Sequence, residues 1–444
     1  MSTAKATPPQ LPKGTRDFYP EDMRIQNFIF DAWKRISLRF GYEEYEGPIF
    51  EHLELFTGKS GDEIVSQLYN FEDKGGRGLA LRPEMTPTLA RLVIQRGNAI
   101  RKPFKWFSIP RLFRYERAQK GRLREFFQLN LDVLGTESIY AEADLITATA
   151  TMLLEFGLKP TDFMIGISSR KLLAAYLQEI GTPTPDLVYP ILDRRLKIGP
   201  DAFAQALLDA GLSTEQGQKL NLLMSSKSLE EVKKIVSGSD SIEAIQEMED
   251  LFEILTAAGL SECIGLDLNI VRGLAYYTGI VFEVFNKGAS MRAIAGGGRY
   301  DSLCEKLGGA RVPGVGFGMG DVVLADLLRD HNLLPAQSQT LDVFVATFTG
   351  DIKKTFVIAN AFRKLGFNVV HPLSAIKFGK QMELANAQGA ACVVYVDGEK
   401  AAEGEFEFKD LAKGTMAVGS LQKIAEYLKK WNRLKPFAPS WFSF

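Results

Sequence analysis

Positive charge is concentrated in segment 111–124, where six Arg or Lys residues occur with one acid, Glu116, although the whole chain has a formal net charge of −1. The strand predicted next has two different faces, polar at Gln128, Asn130 and Asp132 and apolar at Leu129, Leu131 and Val133. Arginines beside a polar, acid-bearing strand suit an anionic substrate held near a cationic one. Phe126 begins this strand and is placed to stack on a flat ring. A solvated hairpin tip is the alternative interpretation of the charge.

A second pattern is the glycine alternation in VPGVGFGMG. If this segment is a strand, one of its faces lacks side chains at Gly314, Gly316, Gly318 and Gly320. That face suits either a planar ligand lying on the backbone or close packing of neighbouring elements. The spacing matches neither GxGxxG nor a Walker A loop, which excludes those dinucleotide and nucleotide sites. GGGRYD, at 296–301, is compatible either with part of a ligand-binding site or with a flexible turn.

Two further segments combine charge with turn signals. In VRGLAYYTG, Arg272 is predicted to end a strand, and Tyr276 and Tyr277 follow with hydroxyls suited to a small-molecule pocket. In RPEMT, Glu84 lies at a strand-to-helix turn, where it either caps backbone N–H groups or holds an ammonium group. Thr86 is predicted as the N-cap of the following helix.

No Ser-His-Asp or Cys-His arrangement is indicated, and no residue has the setting of a nucleophile. Arginines, acids and a bare glycine face fit phosphate chemistry driven by positioning and charge stabilisation.

Composition narrows the class of protein. A pI near 6.4 argues against a general nucleic-acid coat. Three cysteines and three histidines are scattered, so neither a disulfide framework nor a transition-metal site is expected. No apolar run has the length of a membrane span, and the polar, Pro-rich start has no apolar signal core. A reduced, cytoplasmic protein without membrane contact is expected.

Periodicity predicts an α+β protein in several parts. We expect a first domain with an antiparallel sheet over 1–184, a helical insertion over 185–260, and the rest of the first domain over 261–328. A linker over 329–340 precedes a β-α-β-α-β pattern, which predicts a separate α/β domain over 341–444 with a largely parallel sheet.

In order along the chain, these segments resemble the class II aminoacyl-tRNA synthetases and, within them, the histidyl-tRNA synthetase family. LPKGTRDFYP is similar to the family's opening, and GYEEYEGPIFEHLELF to motif 1, which implies a homodimer interface with Pro48 at its bend. FRYERAQKGRLREFFQ resembles motif 2, AGGGRYDSL with VPGVGFGMG resembles the motif 3 region, and VRGLAYYTG resembles the histidine signature. The C-terminal α/β domain is similar to the family's anticodon-binding domain.

The resemblance implies ATP and histidine as substrates, tRNA(His) as a partner and Mg²⁺ with the triphosphate. It places Arg272 and Arg114 at the reacting α-phosphate, and it implies amino-acid-binding roles for Glu84, Thr86, Gln128, Asp132, Tyr276 and Tyr277. ATP-binding roles are implied for Arg114, Glu116, Phe126, Gly316, Gly318 and Gly320. Contacts with the tRNA acceptor end are implied for Gln119, Lys120 and Arg122.

The chain departs from the family pattern at three positions. Ala275 replaces an acid of the signature, Asp132 stands where glutamate is usual, and Val323 stands where motif 3 is followed by an arginine. The last departure favours an alternative function, a histidine-sensing regulatory subunit of ATP phosphoribosyltransferase without catalysis. The C-terminal α/β domain, which that regulator lacks, favours the enzyme, and the paired tyrosines argue against a class II synthetase for another amino acid.

Overall fold

A computed structural model describes residues 9–57, 66–117, 121–271, 276–287, 293–335 and 341–432. The chain divides into two compact units, Met1–Leu334 and Pro335–Phe444, here called the N-terminal and C-terminal units. Among the described residues, no helix is long and apolar enough to cross a membrane.

The first long helix, Pro20–Arg39, is amphipathic as its periodicity predicts. Proline occupies its first turn together with Glu21 and Asp22, whose charges suit a helix N-terminus. Its buried side includes Ile29, Trp33 and Ile36, and Gly41 beyond its end has a φ of 79°, a conformation that glycine adopts readily. This face packs on the sheet of the N-terminal unit.

One large sheet organises the N-terminal unit. Its nine strands within the described residues are β1 (Glu43–Glu44), β5 (Phe104–Ser108), β6 (Arg111–Phe113), β7 (Glu125–Leu134), β8 (Phe163–Ser169), β9 (Ile264–Leu266), β10 (Ile280–Asn286), β11 (Ala293–Arg299) and β12 (Gly314–Gly320). Their order in the sheet is β1-β5-β7-β12-β11-β10-β8-β9, with β6 paired to β7. The central pairings are antiparallel, which confirms the predicted antiparallel sheet.

Strand β7 has the predicted two faces. Leu129, Leu131 and Val133 lie in the hydrophobic core with the first helix. A fully buried side chain of this size contributes about 1.5–3 kcal/mol to folding, so the apolar face fixes which way the strand turns. The polar side chains of the same strand therefore point to the opposite face of the sheet.

Helices cover the sheet and fill the stretch between β8 and β9. The helices in this stretch are Arg170–Glu179, Pro185–Asp193, Arg195–Ile198, Pro200–Asp209, Thr214–Ser225, Leu229–Lys233 and Ser239–Ala257. All but the first lie within the predicted helical segment 185–260. The other helices of the N-terminal unit are Glu54–Thr57, Thr86–Arg96, Tyr140–Glu155, Leu303–Lys306 and Asp321–Asp330, with a 3-10 turn at Gly97–Ala99.

Two local predictions are wrong, and the structure decides between the two interpretations of GGGRYD. The N-cap of the helix Thr86–Arg96 is Met85, so Thr86 is already helical. Strand β9 ends at Leu266, so the segment before Arg272 is not a continuous strand. The Asp267 side chain accepts a hydrogen bond from the backbone N–H of Asn269 at 3.1 Å, and this favours a turn over further strand. GGGRYD is not a flexible turn, because Gly296–Arg299 belong to strand β11.

A small separate sheet follows the first helix. It has the order β2-β4-β3 among the described strands, which are β2 (Phe50–His52), β3 (Tyr69–Glu72) and β4 (Gly78–Leu81). Ile49, Phe50 and Phe71 on or beside it are each about half exposed.

The C-terminal unit is an α/β unit with its own core. Its described sheet has the order β14-β13-β15-β16-β17, with strands β13 (Val343–Ala346), β14 (Val369–Val370), β15 (Cys392–Tyr395), β16 (Glu405–Asp410) and β17 (Met416–Ser420). Only β13, β14 and β15 are mutually parallel, so the sheet is mixed rather than largely parallel. Its helices are Ile352–Lys364, Phe378–Ala387 and Leu421–Asn432, with a 3-10 turn at Glu399–Glu403.

Candidate active site

The predicted site residues meet at one cavity of about 1050 Å³ in the N-terminal unit, above the polar face of strand β7. Arg272, Gln119 and Lys120 lie outside the described residues. Every other predicted site residue lines the cavity: Glu84, Thr86, Arg114, Glu116, Arg122, Phe126, Gln128, Asp132, Tyr276, Tyr277, Gly316, Gly318 and Gly320.

One buried acid of the cavity is Asp132, which is 3% exposed. The Tyr300 hydroxyl donates a hydrogen bond to its Oδ1 at 2.5 Å. Burial raises the pKa of the Asp132 carboxyl to about 7, although the Tyr300 hydrogen bond lowers it. Near neutral pH this carboxyl is therefore partly protonated, and it suits a ligand group whose pKa is also close to neutral.

The pairing of strand β7 with strand β12 leaves room for the Asp132 side chain. Asp132 lies opposite Gly316 in the β7–β12 ladder. A Cβ on Gly316 would stand 1.9 Å from Asp132 Oδ1, and one on Gly318 would stand 2.7 Å from the Gln128 side chain. The glycine face is therefore covered by the side chains of strand β7 at these positions. A planar ligand lying directly on the backbone there is excluded, whereas nothing lies within 4 Å of a Cβ on Gly320.

A second buried acid, Glu84, lies at the turn between strand β4 and the helix Thr86–Arg96, and it is 4% exposed. The Tyr276 hydroxyl donates to Glu84 Oε2 at 2.8 Å. Burial and the nearby carboxylate raise the pKa of Tyr276 well above its ordinary value, so the phenol stays neutral and remains a donor. The Tyr276 ring contacts the rings of Tyr277 and Tyr300 at centroid distances of 5.1 and 6.1 Å.

The cationic end of the cavity is built around Arg114. Its Nε donates to the Pro83 carbonyl oxygen at 2.8 Å, which ties it to the turn that holds Glu84. Its guanidinium lies 5.6 Å from the Phe126 ring centroid. Glu116 pairs with Arg122 at 3.0 Å and approaches Arg114 at 4.0 Å. This end presents a fixed guanidinium beside an aromatic ring.

Val323 lines the cavity, so the departure at this position faces the site directly. The cations among the described lining residues are Arg114, Arg122, Lys197 and Lys287. Lys197 belongs to the helical stretch and Lys287 follows strand β10, so neither comes from the helix that carries Val323.

Sequence reasoning missed several lining residues. Tyr300 follows the glycine strand β11 and bonds Asp132, and the signal available for it was the tyrosine in GGGRYD. Among the other missed lining residues, one group comes from the turn after β9 and from the helical stretch, which sequence patterns do not bring together: Leu192, Asp193, Leu196, Lys197, Asp267 and Asn269.

The lining of the cavity contains two clusters of different chemistry, which we call its two ends: Asp132 and Glu84 with their tyrosines, and Arg114 with Phe126. Two buried acids with neutral phenols at one end suit a ligand that carries ammonium or ring N–H groups. An arginine beside a phenylalanine at the other end suits an anion attached to a flat ring. One ligand of each kind, held in one cavity, would be oriented for reaction with the other.

Comparison with known proteins gives this site a family. The family described as Histidyl-tRNA synthetase matches residues 14–321, and the one described as Anticodon binding domain matches residues 342–431. The protein named histidine–tRNA ligase from Opitutus terrae is 42% identical over 417 residues, covering 92% of this chain and 95% of that protein. The chloroplastic/mitochondrial histidine–tRNA ligase of Arabidopsis thaliana is 41% identical over 407 residues, covering 91% of this chain and 83% of that protein.

The histidyl-tRNA synthetase structure from Nostoc sp. PCC 7120 superposes with a TM-score of 0.79 at 24% identity, covering 95% of this chain and 99% of that chain. At that identity the likeness is one of fold. The fold and the ordered motifs define a class II aminoacyl-tRNA synthetase. Within that class, the chain belongs to the histidyl-tRNA synthetase family.

The buried acid gives a pH-dependent prediction for Asp132→Asn. The folded-state pKa of Asp132 is raised from 3.8 to about 7, so the folded protein binds this proton more tightly than the unfolded chain. Stability from this group is fully present below the unfolded pKa of 3.8 and is lost as pH rises from there through the folded pKa of about 7. Relative to the uncharged asparagine, the original protein should lose about 2.7 kcal/mol between pH 5 and pH 8, because about two pH units of this window lie below the folded pKa.

The measurement is the unfolding midpoint of the intact protein across that pH range. Asp326→Asn, at a partly exposed position that pairs with Arg329, is the matched control and should follow the original protein. Parallel curves for the original protein and Asp132→Asn would show that the buried carboxyl does not titrate in this window.

Proposed function

We propose that the protein activates histidine with ATP to histidyl-adenylate and pyrophosphate, then transfers histidine to the 3′ end of tRNA(His). The observation that supports this proposal is the presence, in the lining of one cavity, of both the acid–phenol cluster and the arginine–phenylalanine cluster, its two ends. The first end suits the ammonium and imidazole groups of histidine. The second suits the phosphates and the base of ATP.

At the amino-acid end, Glu84, Thr86 and Gln128 bind the α-ammonium group of histidine. Asp132 and Tyr277 meet the imidazole, with Tyr276 bonded to Glu84 behind them. The tuned carboxyl of Asp132 supports this, because its pKa of about 7 lies close to that of imidazole. An uncharged or a charged imidazole can then share a proton with it.

At the ATP end, Arg114 binds the α-phosphate and Phe126 stacks on adenine. The open space at Gly320 supports a base lying there, while Gly316 and Gly318 serve to admit Asp132 and Gln128. As the histidine carboxylate attacks the α-phosphorus, negative charge grows on the phosphate oxygens and pyrophosphate leaves. The guanidinium of Arg114 stabilises that charge, and family resemblance assigns the same role to Arg272.

Magnesium is expected to enter with the triphosphate. Among the described residues there is no group of three His, Cys, Asp or Glu placed to hold a metal ion. Mg²⁺ commonly uses one or two carboxylates together with substrate phosphates, and it would offset phosphate charge. Glu116, which lines the cavity beside Arg114 and Arg122, is the carboxylate placed to serve it.

We assign tRNA recognition to both units. Gln119, Lys120 and Arg122 in the basic loop would contact the acceptor end through its phosphates. In the C-terminal unit, Phe348 stacks on Phe378 at a centroid distance of 4.2 Å and is 54% exposed. Phe348 lies in the turn after strand β13. The Asp397 carboxylate stabilises this turn by accepting a hydrogen bond from the backbone N–H of Thr349 at 3.1 Å. An exposed, fixed ring of this kind suits stacking on an anticodon base.

A homodimer is proposed from motif 1, whose bend is at Pro48. The half-exposed apolar side chains Ile49, Phe50 and Phe71 of the small sheet support a covered surface there. A cytoplasmic location is proposed as well, and the buried free thiols of Cys263, Cys304 and Cys392 agree with a reducing compartment.

The primary test is ATP–pyrophosphate exchange by the intact protein with each amino acid in turn. Exchange with histidine alone is expected, followed by charging of tRNA(His). A regulatory subunit of ATP phosphoribosyltransferase would bind histidine without exchange, and exchange with another amino acid would point to a different synthetase.

The two ends of the cavity can be separated with glycine substitutions. Gly316→Ala places a Cβ against Asp132, so the KM for histidine should rise about tenfold, as expected from overpacking of 1–3 kcal/mol. Gly320→Ala is the matched variant: its Cβ meets no protein atom within 4 Å but enters the space assigned to adenine, so it should raise the KM for ATP instead. Exchange kinetics with each substrate varied would measure both constants. The assignment fails if both variants raise the same constant.

Phe348→Ala should lower kcat/KM for tRNA(His) in charging about tenfold, because a stacked base contributes about 1–3 kcal/mol. Exchange without tRNA should stay unchanged. Phe356→Ala removes another half-exposed ring of the same unit, outside the stack, and should have little effect on charging. Equal losses in both variants would contradict a base-stacking role for Phe348.

A further inference from the structure

We propose that Arg16 is a positioning residue for the ATP end of the cavity, acting through Asp321. The inference rests on the proposed function, since it concerns the binding of ATP at that cavity. Arg16 itself does not line the cavity, but its partner Asp321 follows the lining residue Gly320 and is hydrogen-bonded to Phe127, which follows the lining residue Phe126.

Asp321 joins two elements that form the cavity. It is the first residue of the helix Asp321–Asp330, directly after Gly320, and its side chain is almost completely buried. Its Oδ1 accepts a hydrogen bond from the backbone N–H of Phe127 at 3.0 Å. The last pair of the β7–β12 ladder is Gln128 with Gly320, so this bond continues the connection one residue beyond the ladder.

Arg16 completes the charge balance of Asp321. Its Nη2 lies 2.6 Å from Asp321 Oδ2, and its side chain is 27% exposed. Burial raises the pKa of the Asp321 carboxyl, and the Arg16 guanidinium opposes that shift. A buried carboxylate is costly unless it is paired and hydrogen-bonded. Without Arg16, the carboxylate would have to move towards water or take up a proton.

The segment around Arg16 contacts strand β7 and the residue directly before it. The backbone N–H of Arg124 donates to the Gly14 carbonyl oxygen at 2.8 Å. The rings of Phe18 and Phe127 meet edge to face at 6.0 Å, and the Arg16 guanidinium lies 4.7 Å from the Phe18 ring centroid. The chain is therefore tied down on both sides of Arg16, which fixes the backbone position from which its side chain reaches Asp321.

The contacts of Asp321 with Phe127 and Arg16, here called the Asp321 bridge, lie next to residues assigned to ATP. Phe126 precedes Phe127, and Gly320 precedes Asp321. The Asp321 bridge therefore sets the distance between the Phe126 ring and the end of strand β12 at Gly320. Val323 has no charged group that could bind a phosphate of ATP. The affinity for ATP therefore depends more on the correct distance between Phe126 and Gly320 than it would with an arginine at position 323.

The test compares Arg16→Met, Arg16→Lys, Asp321→Asn and the double variant Arg16→Met with Asp321→Asn in histidine-dependent exchange. Arg16→Met and Asp321→Asn should each raise the KM for ATP about tenfold, with the KM for histidine and kcat within about twofold. The effects should not multiply in the double variant, because both remove the same bridge. Arg16→Lys keeps the ion pair and should recover most of the ATP affinity.

Arg35→Met is the matched control, because Arg35 also pairs a half-exposed guanidinium with a buried carboxylate, Glu155, at 2.9 Å. Neither of these residues lines the cavity, so Arg35→Met should alter neither KM. If Arg16→Met does not fold, Asp321→Asn and Arg16→Lys still decide the matter.

An unchanged KM for ATP in Asp321→Asn, or equal changes in both KM values, would reduce Arg16 to an anchor of the N-terminal segment and overturn the inference. Absence of exchange in the original protein would instead overturn the proposed function, so the two failures are distinguishable.

Discussion

The pairing of strand β7 with strand β12 is the constraint on which the site depends. Asp132 points into the cavity only because Gly316, its partner in the ladder, has no side chain, and the Gln128 side chain occupies space that a Cβ on Gly318 would fill. The apolar side chains of strand β7 lock the same register from the other face, since a slip of one residue would expose them. Packing in the core thus decides where the polar groups of the cavity stand.

Much of this arrangement follows from patterns that a sequence displays. Alternation in β7 predicted both of its faces, and the spacing of glycines predicted a strand with a bare face. Both patterns repeat every two residues, as the side chains of a strand do, and they are visible in the sequence because a strand is regular over its whole length. The parallel strands and helices of the C-terminal unit were equally visible in their alternation.

Contacts between distant segments were not visible in the same way. What covers Gly316 depends on the side chain of a strand far away in sequence, and no local pattern reveals it. Tyr300 reaches Asp132 across 168 positions, and Arg16 reaches Asp321 across 305. The end of β9 at Leu266 was also missed, because the Asp267 turn depends on one side-chain bond within an otherwise strand-like run.

The contact between Asp132 and Tyr300 has a consequence for the depth of the cavity. The hydroxyl lies 2.5 Å from the carboxylate, so the short side chain of aspartate holds the acid back against the phenol. The glutamate that is usual in the family is longer by one methylene and would place its carboxyl correspondingly further into the cavity. A ligand ring therefore has to lie about one methylene deeper in this protein to meet the acid at position 132.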